Sequence, residues 1–309
     1  MRIPPRVSIV EVGPRDGLQN EKSLITTADK IAFVDQLSAA GHRAIEVSAF
    51  VSPKWVPQMG DASDVFAGIT RRAGVRYTAL VPNRPGLSRA LAAGVNEIAI
   101  FAAASETFSR RNINQSIDAS LATYAEVCRE ALAMGVAVRG YLSTGFGCPY
   151  EGPVAPSQVA TVARRLLDLG VFEVAISDTI GVAHPGQVPV VLDAVTAAVP
   201  LHQVALHFHD TRGTALANVL AGLDYGVTTF DSSAGGLGGC PFAPGAAGNL
   251  ATEDLLYMLD GLGLETGVDI ALVASASRFI ESRLDHSLPS RFLQSSRTLA
   301  PELDVLDRR

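Results

Sequence analysis

The chain alternates between helical patterns and continuous apolar runs. Its most regular feature is a junction in which a helical pattern ends on glycine and a β-branched run follows within a few residues. Glycine just past a helix adopts the left-handed conformation without steric cost, and a strand buried on both faces is apolar throughout. These junctions predict strands that follow helices, and they occur five times, at Gly41, Gly94, Gly135, Gly170 and Gly226.

Eight strands are predicted, near residues 7–12, 44–49, 76–81, 97–102, 136–142, 172–178, 203–209 and 228–232. Helical patterns lie between them, and eight alternating βα units predict an α/β protein with a (β/α)8 TIM barrel. A doubly wound sheet is the alternative. That fold usually carries a glycine-rich nucleotide fingerprint after its first strand, and the turn "GPRDG" at this position does not match it.

Two more helical patterns follow the eighth strand, near residues 250–262 and 270–284. We therefore expect residues 1–285 to form a single catalytic barrel domain that includes these C-terminal helices. Residues 286–309 are polar and punctuated by proline, which predicts a weakly ordered tail.

Composition narrows the range of partners. The formal net charge is -6, so the surface lacks the basic surplus that attracts nucleic acid or anionic membranes. The three cysteines are odd in number and form no C-x-x-C pair, which argues against a disulfide framework or a thiolate zinc site. No leader pattern or long apolar span is evident. We expect a cytosolic protein with a small-molecule substrate.

In barrels of this kind the chemistry gathers at the C-terminal ends of the strands. The strongest signal there is "HFH" at the seventh strand, where His207 and His209 point the same way because strand residues alternate faces. With Asp16 after the first strand and Asn249 further on, they could bind a hard or borderline divalent ion such as Mg2+ or Mn2+. The alternatives are structural histidines and an Asn249 that only caps a helix.

Three other polar residues, in or just after predicted strands, each allow a functional and a structural interpretation. Arg15 could face an oxyanion or only pair with Asp16. Glu46 lies in an otherwise apolar strand, where a buried carboxylate must be paired or protonated. Asp178 could be functional or could belong to ordinary turn chemistry. A Schiff-base aldolase is excluded because none of the three lysines falls on a predicted strand.

Long motifs carry a family resemblance. The strings "GPRDGLQNEK", "SDTIGVAHPG", "HFHDTRG" and "GGLGGCPFAPGAAGNLATED" fall in the right order, and the chain resembles the 3-hydroxy-3-methylglutaryl-CoA lyase family from about residue 5 to residue 285. That family belongs to a wider group of metal-dependent lyases, aldolases and synthases. The resemblance implies metal ligands at Asp16, His207, His209 and Asn249, a substrate-carbonyl arginine at Arg15, a signature-loop thiol at Cys240, acidic residues near the acyl group at Glu46 and Asp178, and a substrate contact at Gln19.

The implied reaction is a retro-Claisen cleavage of an acyl-CoA into acetyl-CoA and acetoacetate. A divalent ion would act as Lewis acid, and Arg15 would steady the enolate oxygen. His207, Asp16 or Glu46 would accept the hydroxyl proton. Cys240 would protonate the enolate, since a thiol with an ordinary pKa near 8.5 keeps its proton at neutral pH. The alternative for Cys240 is a buried, inert side chain.

Several functional alternatives stay open at this stage. They are a lyase for a longer 3-hydroxy-3-alkylglutaryl-CoA, a related Claisen synthase or aldolase, and a metal-binding barrel whose chemistry has decayed. The sequence departs from the family pattern at residues 143–146 and at His184, which bears on acyl-chain preference. We expect an acyl-CoA substrate and a homo-oligomer, a dimer or larger, with no nucleic-acid or membrane partner.

Overall fold

A computed structural model describes residues 4–239 and 248–296. Eight parallel strands close into a barrel in which each strand pairs with the next and β8 returns to β1. This confirms the predicted TIM barrel and all eight predicted strands. The strands are β1 (Ser8–Glu11), β2 (Ala44–Ala49), β3 (Arg76–Leu80), β4 (Glu97–Ala103), β5 (Ala137–Ser143), β6 (Val174–Asp178), β7 (Val204–Phe208) and β8 (Thr229–Ser232).

Helices surround the barrel. They are α1 (Thr27–Ala39), α2 (Ala62–Gly68), α3 (Arg84–Ala92), α4 (Glu106–Ile113), α5 (Ile117–Ala133), α6 (Pro156–Asp168), α7 (Val188–Thr196), α8 (Ala215–Tyr225), α9 (Thr252–Gly261) and α10 (Ile270–Glu281). Residues 291–296 are helical as well. Among the described residues, none of these helices has the length and apolar character needed to span a bilayer.

The hydrophobic core lies mainly between the strands and the surrounding helices. Outward-facing strand side chains pack there, as Phe208 does against Phe146 with a ring separation of 5.4 Å. All five glycines of the predicted junctions have positive φ, between 70° and 109°. The sequence pattern therefore identified the helix ends correctly, because glycine tolerates this backbone conformation.

The segment after α10 continues to pack on the barrel as far as it is described. Leu288 and Leu293 are fully buried, and the Ser290 backbone N–H donates to the Gly235 carbonyl. A domain boundary at residue 285 stays a prediction. Of the predicted polar tail at 286–309, the part from 297 onward lies outside the described residues.

The barrel interior is polar where most barrels are filled by aliphatic layers. Arg139 of β5 reaches Asp231 of β8 with two hydrogen bonds of 2.8 and 3.1 Å, and Tyr141 of β5 donates to Glu46 of β2 at 3.1 Å. These strands are not neighbours in the sheet, so both contacts cross the interior. The pairing of β2 with β3 shifts register between Glu46 and Ser48, an irregularity typical of strands beside active sites.

Two glycines with positive φ give a stability test. At Gly41 a Cβ would lie 2.3 Å from the Gly267 carbonyl oxygen, whereas at Gly135 it would meet no atom within 4 Å. We expect Gly135→Ala to cost only backbone strain, about 1–2 kcal/mol of unfolding free energy, and Gly41→Ala about 3 kcal/mol or more. Urea unfolding of both variants measures the difference. Equal losses would show that the contact with Gly267 relaxes freely.

Candidate active site

The first element of the site is a single π-helical turn, Gly13–Gly17, that follows β1 and carries Arg15 and Asp16. It packs tightly against the segment that follows β8. A Cβ on Gly17 would lie 2.9 Å from Ser233 Oγ, and one on Gly13 would lie 3.2 Å from the same atom and 2.7 Å from Glu11 Oε1 in β1. Glycine at both ends of "GPRDG" therefore permits this close approach.

The second element is the end of β7. His207 is in the strand and His209 follows it, so the two rings lie on the same side with centroids 5.3 Å apart. One ligand atom from each of Asp16, His207 and His209 falls within 4.8 Å of the others. Asn249 pairs with His209 through an isolated β-bridge and joins the same group. The structure thus brings together the four residues predicted as metal ligands.

Unpaired donor atoms in this group fit a cation. The Asn249 side-chain amide donates to Asp16 Oδ2 at 3.0 Å and to the Leu237 carbonyl at 3.2 Å, which leaves its Oδ1 buried and without a hydrogen bond. His209 Nδ1 is buried and unpaired as well. Buried lone pairs without donors are costly, and a divalent ion would satisfy them. Asn249 is not a helix cap, since the N-cap of α9 is Ala251.

The protonation states of these ligands also suit a metal. Burial opposes ionisation of Asp16, but Arg15 and the two histidines lower the pKa of Asp16 to about 2. Burial and the nearby His207 lower the pKa of His209 to about 4. At neutral pH the site therefore offers a carboxylate and a neutral imidazole, the forms that bind metal ions.

His207 is oriented by a carboxylate behind it. His207 Nδ1 lies 3.2 Å from Asp231 Oδ2, and Asp231 is itself fixed by Arg139. Burial lowers the pKa of His207, but the contact with Asp231 outweighs it and raises the value overall. A proton held on Nδ1 leaves Nε2 as the free lone pair on the side of Asp16, as is common for metal-binding histidines.

Buried charge in the surrounding network also favours a cation. Its hydrogen-bonded groups include two more carboxylates than guanidinium groups, so a dication would balance these charges when His207 and Tyr141 are neutral. The carboxylates are Asp16, Glu46, Glu173 and Asp231, and the guanidinium groups are Arg15 and Arg139.

Arg15 and Glu46 form a close buried pair. Arg15 Nε donates to Glu46 Oε2 at 2.6 Å, and Arg15 Nη1 donates to Asp16 Oδ1 at 2.6 Å. Tyr141 places its hydroxyl on Glu46 Oε2 and its ring 5.5 Å from the Arg15 guanidinium. Glu46 Oε1, by contrast, is buried without a partner. Burial raises the pKa of Glu46, and Arg15 opposes that rise.

The remaining predicted site residues are Asp178, Gln19 and Cys240. Asp178 accepts hydrogen bonds from the backbone N–H groups of Val182 and Ala183 at 2.9 and 3.0 Å, so both oxygens help to build the loop after β6. Burial raises the pKa of Asp178 to about 6. Gln19 follows the Gly13–Gly17 turn and is half-buried. Cys240 lies outside the described residues. The predicted roles of these three residues stay predictions.

The interior residues that were not predicted from the sequence include Arg139, Tyr141 and Asp231. The sequence contained a pattern from which two of these three residues could have been predicted. Arg139 and Asp231 are charged residues in otherwise apolar or β-branched strands, the same pattern that singled out Glu46. Tyr141 carries no comparable signal, because tyrosine is common in strands.

Comparison with known proteins agrees with this geometry. Residues 6–280 match the family described as HMGL-like. The chain is 51% identical to a hydroxymethylglutaryl-CoA lyase of Bacillus subtilis, over 95% of this chain and 98% of the relative. It is 55% identical to a 3-hydroxy-3-isohexenylglutaryl-CoA/hydroxymethylglutaryl-CoA lyase of Pseudomonas aeruginosa, over 94% and 97%. The crystal structure of a hydroxymethylglutaryl-CoA lyase from Pseudomonas aeruginosa superposes with a TM-score of 0.95 at 53% identity, covering 96% of this chain and 99% of that one.

The contact between Asp231 and His207 predicts an effect on metal affinity. In Asp231→Asn, the new amide would donate to His207 Nδ1 and move the ring proton to Nε2, where it blocks a metal ion. We expect Mn2+ affinity to fall about 10–100-fold, measured by electron paramagnetic resonance of free Mn2+.

Glu173→Gln is the matched control for Asp231→Asn. It alters the other carboxylate on Arg139 and leaves the Asp231–His207 contact in place, so we expect a clearly smaller effect. Equal Mn2+ affinity in the unaltered protein and Asp231→Asn would contradict the assigned tautomer.

Proposed function

The chain belongs to the HMGL-like family, and from this premise we propose that it is a metal-dependent carbon–carbon lyase that cleaves 3-hydroxy-3-methylglutaryl-CoA into acetyl-CoA and acetoacetate. One observation carries the proposal. Four residues distant in the sequence, Asp16, His207, His209 and Asn249, meet beside Arg15 at the C-terminal end of the barrel. Relatives at 51–55% identity bear the name of this activity.

We propose Mg2+ or Mn2+ as the ion, because the ligand set contains imidazole, carboxylate and amide oxygen and no thiolate. When bound, such an ion would polarise the substrate oxygens and hold the hydroxyl and carbonyl groups in place. Asp16 would supply the charged ligand. The Asn249 amide group would keep the Asp16 carboxylate oriented while its own oxygen faces the ion.

Arg15 would stabilise the negative charge that develops on the thioester oxygen when the bond between C2 and C3 breaks. Its contacts with Glu46 and Asp16 fix the guanidinium plane. The same two carboxylates raise the pKa of Arg15 despite its burial, so the cation persists. Donors already fixed toward the developing oxyanion need no reorganisation during the reaction.

Glu46 is the best placed group to accept the hydroxyl proton. Its Oε1 has no partner, and burial makes it more basic than an ordinary carboxylate. Asp16 is a weaker base, with a pKa of about 2, and His207 has Nδ1 on Asp231 and Nε2 on the metal side. A positioned base contributes roughly 10²–10⁴-fold to such a step.

Cys240 would then give its proton to C2 of the enolate, which completes acetyl-CoA. Support comes from the segment that leads into it, because Leu237 is tied to Asn249 and Gly238 approaches the same amide closely. The described chain therefore lies beside the ligand group two residues before Cys240. Solvent would return the proton from Glu46 to the thiol before the next turnover.

The decisive experiment is a cleavage assay with 3-hydroxy-3-methylglutaryl-CoA, in which acetoacetate is measured with Mg2+, with Mn2+ and after chelation. We expect activity with either ion and none after chelation. Cys240→Ala should lower kcat by about 10²-fold or more while Mn2+ still binds, since it removes only the proton donor. Cys128→Ala is the control, as that thiol is buried in α5. Cleavage that survives chelation, or full turnover by Cys240→Ala, would refute the mechanism.

Two observations favour a second candidate substrate, a 3-hydroxy-3-alkylglutaryl-CoA with a longer chain. The relative at 55% identity is named for an isohexenyl substrate as well. Both family departures in the sequence line one cavity of about 500 Å3, which Phe146 and His184 share with Ile180, Val182 and Val190. Apolar walls of this kind suit an alkyl chain. Val182 also donates its N–H to Asp178 at the end of β6.

The ratio of kcat/KM for the isohexenyl and methyl substrates tests this candidate. If the chain occupies the cavity, Val190→Phe should lower kcat/KM for the longer substrate about 10-fold or more and leave the methyl substrate almost unchanged. Equal losses for both substrates, or for neither, would place the chain elsewhere. The cytosolic location, the homo-oligomer and the absence of other partners stay predictions.

A further inference from the structure

Glu11, the last residue of β1, is a fully buried carboxylate that the mechanism above does not use. Its Oε1 accepts the backbone N–H of Gly13 at 2.8 Å and that of Ala234 at 2.9 Å. Its Oε2 accepts the Thr252 hydroxyl at 2.7 Å. Burying a carboxylate is costly, so a position of this kind requires specific partners.

The two backbone donors begin two different turns. Gly13 begins the turn that carries Arg15 and Asp16, and Ala234 begins the short Ala234–Gly236 turn that follows β8. One oxygen atom therefore holds the first N–H group of both turns. A main-chain atom or a water molecule that contacts only one of the turns would not link the two turns.

Further hydrogen bonds connect these two turns. Together with the backbone of the turns, they form a closed circuit. The Leu237 carbonyl, directly after the second turn, accepts the Asn249 amide at 3.2 Å. The same amide donates to Asp16 Oδ2 at 3.0 Å, and Asp16 belongs to the first turn. Starting from Glu11, the circuit passes through Asp16, Asn249 and Leu237 and returns to Glu11 through Ala234.

Pairing with a cation does not explain why Glu11 is buried at this position. The nearest cationic candidate is His42, whose Nε2 is 3.6 Å from Glu11 Oε2, and burial lowers the pKa of His42 to about 3, so the ring is neutral. Burial likewise raises the pKa of Glu11 to about 8. The surroundings instead use the hydrogen-bonding capacity of both oxygens, which contact two backbone N–H groups and the Thr252 hydroxyl.

We propose that Glu11 is a positioning residue that sets the Arg15–Asp16 turn and the Ala234–Gly236 turn in a fixed relation, so that Asp16 and Asn249 present their oxygens to one cation. The metal site itself rests on the function proposed above. Loss of this relation weakens metal binding without removing any ligand. The effect is therefore separable from a general loss of stability.

Mn2+ affinity, measured by electron paramagnetic resonance, tests the proposal with Glu11→Gln and Glu11→Leu. Glutamine keeps an oxygen for both backbone donors and can donate to the Thr252 hydroxyl, so we expect affinity close to that of the unaltered protein. Leucine removes all three contacts, and we expect a loss of about 10–100-fold, as for other groups that support metal ligands.

Glu97→Leu is the matched control for a merely structural role. Glu97 is a buried strand carboxylate that accepts the Thr78 hydroxyl at 2.7 Å and lies outside the circuit. We expect this variant to lower the thermal midpoint of unfolding as Glu11→Leu does, with no change in Mn2+ affinity. If Glu11→Leu fails to fold, Thr252→Val removes the Oε2 contact, together with the hydrogen bond between Thr252 and Ser232, keeps both backbone contacts of Oε1, and should still weaken Mn2+ binding.

Three outcomes would overturn the proposal: unchanged Mn2+ affinity in Glu11→Leu, or in Thr252→Val if leucine does not fold; equal losses for glutamine and leucine; or equal losses for Glu11→Leu and Glu97→Leu. If the proposed function is wrong, the measurements give a different result. In that case the unaltered protein binds Mn2+ and leaves 3-hydroxy-3-methylglutaryl-CoA intact, while the Glu11 variants still report on positioning. A protein that binds no Mn2+ would contradict both.

Discussion

Charge buried inside the barrel must be compensated, and this constraint organises the whole site. The interior holds arginines and carboxylates where aliphatic layers are usual, and the carboxylates of Asp16, Glu46, Glu173 and Asp231 each contact Arg15 or Arg139. The carboxylates outnumber the guanidinium groups, and the unpaired oxygen of Asn249 and nitrogen of His209 lie among them. A divalent cation, as proposed above, would satisfy both the charge balance and these unpaired atoms.

The same network shifts the pKa values of its groups in different directions. Arg15 keeps Asp16 ionised, and Asp231 determines which nitrogen of His207 is free. Carboxylates that look equivalent in the sequence therefore differ in their hydrogen bonds. Glu46 retains a free oxygen suited to proton transfer, whereas both oxygens of Asp178 are used by the backbone of its own loop.

Close packing of two turns accounts for the glycines around the site. At Gly17 a Cβ would lie 2.9 Å from Ser233 Oγ and 3.0 Å from the Leu237 carbonyl oxygen, and at Gly13 it would lie 2.7 Å from Glu11 Oε1. Glu11 lies beneath both turns and accepts an N–H group from each. In the arrangement proposed above, the positions of Asp16 and Asn249 depend on this residue, which is not itself a candidate metal ligand.

The sequence by itself determined the fold, because helix-ending glycines and apolar strands are local patterns that repeat in register with the βα unit. It also predicted that His207 and His209 point the same way, because strand residues alternate faces, and their rings lie 5.3 Å apart. Only the tertiary structure decided that Asn249 binds Asp16 and does not cap a helix, that Glu46 pairs with Arg15, and that Arg139 and Asp231 support His207. These contacts join strands far apart in the chain, and their distances depend on how the barrel closes, which no local pattern encodes.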